Sequence, residues 1–478
     1  MKLYTLLEPI KENVSDPILN IDIERISTSS SSVGPKDLFV AIPGYRVDGH
    51  DFVHHAIEAG ASVILGEKDL KDLPVPYIQV PNSRLALARI ACQFYGNPSR
   101  KKIVIGITGT NGKTTTSFML KHILEESGRS CSLFGTVKNV VNGQVSPSIN
   151  TTLDALELQQ QLSASEDEFI IMEVSSHGLS QYRVEGVEFD YCLFTNLDHD
   201  HLDYHRDMEE YFSVKASLFN QLKPQGNAVI NHYNSWGEQL ADRLTSEGYN
   251  MFSIGDGRHH DLRINKCESG VPSFSFEKNQ DFELNLKIIG SHNILNASMA
   301  FLTARKIGLP SNQIIQALEI FPGVPGRFEI LHHPNGATIV IDYAHTADAF
   351  YHCLQTARGK EAKRIFHIFG FRGNRDVEKR RGMVSVSREI SDVSILTLDD
   401  LNDVPYEEME QDLYDLVQQE YVIPDRTLAI KKVLEQVIDG DWVFITGKGA
   451  EAYQQSFQIP TGSDKETVLY LFQQLIDM

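Results

Sequence analysis

Nearly continuous apolar runs alternate with helical periodicity along most of this chain. Up to about residue 100, the short runs DLFVAI, SVILGE and PYIQV alternate with the helical patterns HDFVHHAIEAG and SRLALARIACQFYG, which predicts a small α/β unit. NPSRKK, carrying Pro98, reads as a link to a second unit. There KIVIGI, FIIMEV, YCLFTNL and NAVIN are unbroken apolar runs separated by helical patterns. Strands covered on both faces of a parallel sheet look like this, so a doubly wound sheet is expected. SFSFEKNQDFELNLKIIG alternates instead and predicts an antiparallel excursion, and the turn-rich GVPGRF at 323–328 marks the next boundary. A last unit repeats the alternation in TIVIDY, RIFHIFG, VSILTLDD and DWVFITGKG, whose ends carry Asp342, Gly370, Asp399 and Gly447. In open α/β sheets such strand ends face the ligand crevice. The expected fold class is α/β, with domains over 1–100, 101–322 and 323–478.

A length of 478 residues agrees with about three domains, each able to bury a core. Apolar and charged fractions of 41% and 23% are ordinary globular values. A formal charge of −20 with no basic patch excludes a general nucleic-acid binder. The five cysteines, Cys92, Cys131, Cys192, Cys267 and Cys353, lie far apart without a C-x-x-C pair, so neither a disulfide framework nor a zinc ribbon is expected. Glu8 interrupts the stretch where a signal peptide would need an apolar core, and no later run has the length to span a bilayer. The expectation is a cytoplasmic monomer, without membrane insertion.

GITGTNGKTTTSF, from Gly106 to Phe118, follows one of the apolar runs and opens a helical pattern. A strict G-x-x-x-x-G-K-[ST] search fails, because Ile107 stands five before Gly112. The physics of a phosphate loop is still present. Gly109 and Gly112 allow a tight turn with exposed N–H groups, Lys113 can reach the β/γ-phosphates and Thr114 can ligate Mg²⁺. Glu173 ends the run FIIMEV, where it is either a surface glutamate or a Mg²⁺ ligand beside Ser175, Ser176 and His177. FTNLDHDHLDYH gathers His199, Asp200, His201, Asp203 and His205. Zinc is one reading; without thiols and beside a phosphate loop, a single histidine on Mg²⁺ is the other. Lys215, in EEYFSVKASLFN, reads from its surroundings as a lysine that snorkels to water.

Together these stretches resemble the Mur ligase family of ATP-dependent amide-forming enzymes, and among them those that add the third residue of the stem peptide. The matching pieces run in order: DLFVAIPGYRVDGHDF, FYGNPS, GITGTNGKTTT, MEVSSHGL, RVEGVEFD, FTNLDHDHLDYH, YFSVKASLF, GSHNILN, GVPGRFE, VIDYAHTADA, RGNRDVEKR and GKGAEAYQ. The resemblance implies an N-terminal UDP-substrate domain, a central P-loop parallel-sheet ATPase domain and a C-terminal Rossmann-like domain that brings the amino acid. It implies that ATP phosphorylates the carboxylate of UDP-N-acetylmuramoyl-L-alanyl-D-glutamate and that a free amino acid attacks the acyl phosphate. Oxide is too poor a leaving group for an amine to displace unaided, which is why activation is needed.

By that resemblance Gly109, Thr110, Asn111, Gly112, Lys113, Thr114, Thr115, Asn293, Asn296, Arg327 and Asp342 hold ATP. Lys113, Glu173, His201 and a carbamylated Lys215 are catalytic, and Thr114, Glu173, His201 and Lys215 serve Mg²⁺. A buried lysine must be neutral to take up carbon dioxide, and apolar surroundings act in that direction. Ser30, Thr151, Thr152, Ser175 and Arg183 are implied for the UDP substrate, and Asp399, Asp400, Asn402, Gly447 and Glu451 for the amino acid, with His345 and Lys379 nearby.

Four departures change the picture. The family's D-S-R triplet is Ser29-Ser30-Ser31, its T-T-P ends in Leu153, and the histidine of G-K-G-H-E is Ala450. Its D-N-P-R, whose arginine clamps the distal carboxylate of diaminopimelate, is Asp399-Asp400-Leu401-Asn402. Without that arginine, Asp400 and Glu451 are expected to favour an ammonium, so L-lysine or ornithine is preferred over meso-diaminopimelate. A family member joining an amino acid to a different carboxylate is the other reading, kept open by the serine stretch.

Overall fold

A computed structural model describes residues 1–13, 20–44, 47–265, 273–276, 280–374, 377–418 and 421–476. Tyr45 and Arg46 of the first family motif, Arg375 and Asp376 of RGNRDVEKR, and Cys267 lie outside the described residues. The chain divides into two compact units: Met1–Thr108 with Arg129–Cys192 and Val214–Asn227, and Gly109–Gly128 with Leu193–Ser213 and Ala228–Met478.

In the first unit, β1 (Arg25–Ser27), β2 (Asp37–Val40), β3 (Val63–Gly66) and β4 (Tyr77–Gln79) form a parallel sheet in sequence order. β2 and β3 are buried along their whole length and are apolar except for Asp37 at the start of β2, which Arg25 pairs. A second sheet holds β5 (Ile103–Thr108), β6 (Cys131–Phe134), β7 (Lys138–Val141), β8 (Gln144–Pro147), β9 (Phe169–Glu173) and β10 (Phe189–Phe194), ordered β10-β5-β9-β6-β7-β8. Its β5, β9 and β6 are parallel and buried among mostly apolar residues, with Thr108, Ser132 and Glu173 as the polar exceptions, whereas β7 and β8 turn antiparallel. Asn142 and Gly143 at the β7–β8 tip both have positive φ, 50° and 76°, between the paired residues Val141 and Gln144. That is a two-residue Asn-Gly hairpin, a signal that reading apolar runs alone passes over.

The strand β11 (Leu222–Asn231) carries the chain into the second unit. There β12 (Asn250–Gly255) pairs parallel with β13 (Leu262–Asn265), and β14 (Ser273–Phe276) and β15 (Gln280–Glu283) continue antiparallel, as the alternation predicts. The C-terminal sheet comprises β16 (Glu329–His332), β17 (Thr338–Asp342), β18 (Ile365–Phe371), β19 (Val393–Leu398) and β20 (Trp442–Thr446) in the order β16-β17-β20-β18-β19. All neighbours except β16 are parallel. Alternate strand residues feed two cores. Val340, Phe369, Leu396 and Phe444 pack with helices 347–359, 378–390 and 406–416, while Ile341, Ile368, Ile395 and Ile445 pack with helices 426–434 and 464–476. The period of two along each strand produces these two faces, and helices on both sides make the sheet doubly wound.

Candidate active site

In the second unit, the phosphate-loop candidate leads into the helix Lys113–Glu126. Gly109 and Gly112 have φ of +145° and +84°, and a Cβ on either would collide with Thr195 Oγ1 or Asn296 Oδ1 respectively. Both positions therefore need glycine for space as well as for conformation. The loop is pinned from the side: Thr110 N donates to Asn196 O at 3.0 Å, Asn111 N to Asn196 Oδ1 at 2.8 Å, and Thr195 Oγ1 to Asn111 O at 2.6 Å. Lys113 Nζ donates to the carbonyls of Gly109 and Thr110 at 2.8 and 2.9 Å, so the cation lies folded over the loop. Thr114 and Thr115 are buried in the first helical turn.

The implied nucleotide residues converge on this loop. Asn296 Oδ1 accepts from Thr116 Oγ1 at 3.4 Å, and Asn296 Nδ2 donates to Asn293 Oδ1 at 3.4 Å. Arg327 Nη2 donates to Thr114 Oγ1 at 3.4 Å, with its guanidinium 4.0 Å from the centre of the Tyr343 ring. Asp342 behaves differently. Its Oδ2 accepts from Phe328 N at 2.6 Å and its Oδ1 from Ala344 N at 2.7 Å, which fixes the turns carrying Arg327 and Tyr343.

A cavity in the same unit is lined by Asp200, His201, Tyr343, His345, Arg372, Lys379 and Asp399 among others. Asp200, buried, gathers Lys379 Nζ at 3.0 Å and the Nε2 atoms of His201 and His345 at 3.4 Å each. Burial opposes ionisation of Asp200, but the hydrogen bond and charge of His345, with His201 and Lys379, hold its carboxyl well below the usual range. His201 has φ of +55°, the left-handed conformation of a tight turn.

Across the cavity, the ends of β18, β19 and β20 place a charge cluster. Lys448 Nζ lies 2.6 Å from Asp400 Oδ1 and 3.4 Å from Asp399 Oδ1, all three side chains being buried. Arg372 is hydrogen-bonded to Glu451 and lies 3.9 and 4.0 Å from Asp399 and Asp400. Burial would raise the Asp399 carboxyl, but Arg372, Arg426 and Lys448 hold it below its usual range. Gly447 has φ of +108°, and a Cβ there would stand 2.9 Å from Asp399 Oδ2. Asn402 is engaged between loops, with Nδ2 donating to Gly373 O at 2.9 Å.

Asp400 and Glu451, the two carboxylates expected to favour an ammonium, each carry a cation of the protein itself: Lys448 on Asp400 and Arg372 on Glu451.

In the first unit, Glu173 ends β9 fully buried, its Oε1 accepting from Thr136 N at 3.1 Å and its Oε2 from Thr136 Oγ1 at 2.9 Å. The surface-glutamate reading therefore fails. Thr151 Oγ1 meets Thr136 Oγ1 at 3.1 Å, Thr152 Oγ1 donates to Glu173 O at 3.0 Å and lies 3.1 Å from Ser175 Oγ, and Arg183 Nη1 donates to Thr152 O at 2.7 Å. Ser30 lies in the short 3-10 turn Ser30–Ser32 after β1, 3.1 Å from His55 Nδ1, and Arg25 holds this turn through Ser32 O. Lys215 is 1% exposed, so it does not snorkel to water.

Among the described residues no group of three or more His, Cys, Asp or Glu is arranged to hold a metal ion, which leaves the zinc reading of the histidine loop without a ligand set. Mg²⁺ asks for less: one or two carboxylates together with substrate phosphates suffice. Glu173 in the first unit and Thr114 in the second each present a hard oxygen, a buried carboxylate and a hydroxyl.

Family models match along the chain: the Mur ligase family catalytic domain over residues 22–95, the Mur ligase middle domain over 107–304, and the Mur ligase glutamate ligase domain over 326–449. The UDP-N-acetylmuramoyl-L-alanyl-D-glutamate--2,6-diaminopimelate ligase of Clostridium botulinum is 38% identical over 459 residues, covering 93% of this chain and 92% of that protein. The chain belongs to the Mur ligase family. The same-named ligase of Bacillus velezensis is 36% identical over 467 residues, covering 95% of this Mur ligase and 94% of the relative. A solved structure of a ligase of that name superposes with a TM-score of 0.69 at 26% identity, covering 100% of this chain and 99% of the other. The architecture is thus the three-domain Mur ligase one.

Three residues of this Mur ligase's cavity escape motif reading, Asp200 as a hub, Tyr343 and Arg372, as does Lys448, which pairs with Asp399 at its edge. Arg372 directly follows the end of β18, so the rule that strand ends face the crevice contains the signal.

Proposed function

We propose that this Mur ligase uses ATP to join meso-diaminopimelate to the D-glutamyl carboxylate of UDP-N-acetylmuramoyl-L-alanyl-D-glutamate, the third-residue step of peptidoglycan precursor synthesis in the cytoplasm. The observation that carries the reading is the near-full-length similarity to ligases named for that reaction. Because those relatives are named for diaminopimelate, and because Asp400 and Glu451 are paired, the earlier preference for lysine is withdrawn. Domains over 1–100, 101–322 and 323–478 hold the UDP substrate, ATP and the amino acid.

The loop Gly109–Thr115 cradles the triphosphate, and Lys113, parked on its own loop carbonyls, moves to the transferring phosphoryl group. Asn293, Asn296 and Arg327 orient the nucleotide, with Asp342 fixing the Arg327 turn. Thr114 and Glu173 are proposed as Mg²⁺ ligands, and the ion would neutralise charge on the transferred phosphoryl group. His201, braced by Asp200, and a carbamylated Lys215 are proposed as further Mg²⁺ residues. Thr151, Thr152, Ser175 and Arg183 contact the UDP substrate, and Ser30 its uridine end. The carboxylate oxygen bonds to the γ-phosphorus as the bond to ADP breaks. The neutral amine then attacks the acyl carbon, the tetrahedral intermediate expels phosphate, and the amide nitrogen gives up a proton.

The test is phosphate release by purified enzyme with ATP, the UDP-muramoyl dipeptide and meso-diaminopimelate. Release that needs all three is expected, and Lys113→Ala should lower it by about 10²–10³-fold. Release independent of the dipeptide would overturn the acceptor assignment and favour a different carboxylate substrate.

A further inference from the structure

We propose that Asp198 links ATP binding to the uptake of a proton: its carboxylate, set against the phosphate loop, is neutralised when the triphosphate arrives. The inference deepens the ligase reading above and rests on its placing of ATP at Gly109–Thr115.

Asp198 is tied to that loop through its main chain and its side chain. Its N–H donates to Thr110 Oγ1 at 3.0 Å, its carbonyl accepts from the same hydroxyl at 3.4 Å, and its Oδ2 accepts from Asn111 Nδ2 at 3.4 Å. The long amide bond is the one hydrogen bond to its carboxylate among the described residues. Asp200, two residues on, is in the opposite position, gathered by Lys379, His201 and His345. Asp198 has a second carboxylate in its field instead, that of Asp348 in the helix Ala347–Gly359, whose Oδ1 lies 3.4 Å from His352 Nε2. Burial first, then Asp348 and Asp200, push the Asp198 carboxyl up to about 6, against the Asn111 bond and the charge of His352. Tyr211, which meets Thr110 Oγ1 at 3.1 Å, is kept neutral by its own burial. Carboxylates two residues apart are thus driven in opposite directions, and the weakly partnered one sits on the loop.

The consequence is electrostatic. Above pH 6 the free protein carries an ionised Asp198 beside the N–H groups that would cradle the phosphates. ATP remains anionic even when paired with Mg²⁺, and like charge disfavours the ionised carboxylate. A proton from solvent then converts it to the neutral acid, and no other bond is made or broken. The neutral group keeps a carbonyl oxygen that accepts from Asn111. By reciprocity, the proton favours ATP by the same factor as ATP favours the proton. Affinity therefore rises as pH falls from about 8 to about 6, and this group adds nothing further below, where the free protein is already protonated.

The experiment is calorimetry of ATP with Mg²⁺ on the full chain, without amino acid or acceptor, for wild type, Asp198→Asn, Asp198→Ser and Lys113→Ala. Both Asp198 variants are uncharged and can still accept from Asn111. In two buffers of different ionisation enthalpy at pH 7, wild type is expected to take up about half a proton more per ATP than either variant. At pH 8 the variants should bind ATP about tenfold more tightly than wild type, and at pH 5.5 within about twofold of it. The gain separates the proposal from a structural role, which predicts a loss. Equal proton uptake in all three proteins, or variants that bind more weakly at pH 8, would overturn it. Lys113→Ala that binds as tightly as wild type, or wild type that binds no ATP, removes the nucleotide from this loop and sinks that part of the ligase reading, with the Asp198 linkage, instead.

Discussion

Two guanidinium–carboxylate pairs flank the ends of the C-terminal sheet, and they differ in what surrounds them. Arg426 meets Asp464 through Nε at 2.7 Å and Nη2 at 2.8 Å, with both side chains fully buried. Arg426 Nη2 also donates to Thr446 O at 2.8 Å, and Tyr453 Oη donates to Asp464 at 2.9 Å. The Arg372–Glu451 pair has the same chemistry but opens to solvent at a cavity. A sealed pair fixes chain segments to one another and has no room to exchange partners. An open pair is screened by water and holds little that the fold depends on.

Breaking the sealed pair should give the largest effect. Arg426→Met leaves Asp464 as a buried uncompensated charge and is expected to lower unfolding free energy by about 3–5 kcal/mol in urea titrations. Adding Asp464→Leu should restore most of it, because matched apolar groups avoid the desolvation cost. A single variant within about 1 kcal/mol of wild type would show that burial does not separate the two pairs.

The contrast also explains what the sequence made legible. Gly109, Gly112, Lys113 and Thr114 follow one another in the chain, and local backbone geometry decides their role, so the phosphate loop could be read directly. The parallel sheets were readable for a similar reason, since strands buried on both faces must be largely apolar. The charge cluster was not. Arg372, Asp400, Lys448 and Glu451 come from three separate strand ends, and nothing local says that Lys448 neutralises Asp400 rather than water. Glu173 shows the intermediate case: its position at a strand end was visible, but its burial against Thr136 depends on a neighbouring strand.

A middle-sized effect comes from a neutral group beside the sealed pair. His367 is fully buried between Phe350 and Phe369, with Nδ1 2.8 Å from Ser387 Oγ and Nε2 2.9 Å from Thr446 Oγ1. Burial, aided by the charge of Arg426, pushes its pKa down to about 3. The unfolded chain takes up this proton near pH 6.5, so between those values the unfolded state binds more protons than the folded one. This contribution is fully present above pH 6.5 and is lost as pH falls toward 3, at about 1.4 kcal/mol per unit. Unfolding measured at pH 7.5 and 5.5 should show about 1.4 kcal/mol less difference in His367→Gln than in wild type. Equal differences would mean that His367 is not held neutral by its enclosure.

The smallest expected change sharpens the contrast most. Glu451→Gln keeps the size of the side chain and removes its charge from a pair in which both members touch solvent. Arg372 retains Asp399 and Asp400 at 3.9 and 4.0 Å, so it is left neither buried nor isolated. The expected loss in urea unfolding is below about 1 kcal/mol, in the range of exposed ion pairs. Buried pairs that lose one partner drop by about 3–5 kcal/mol. A fall of that size in Glu451→Gln would make the Arg372–Glu451 pair a structural clamp like Arg426–Asp464, open to solvent though it is.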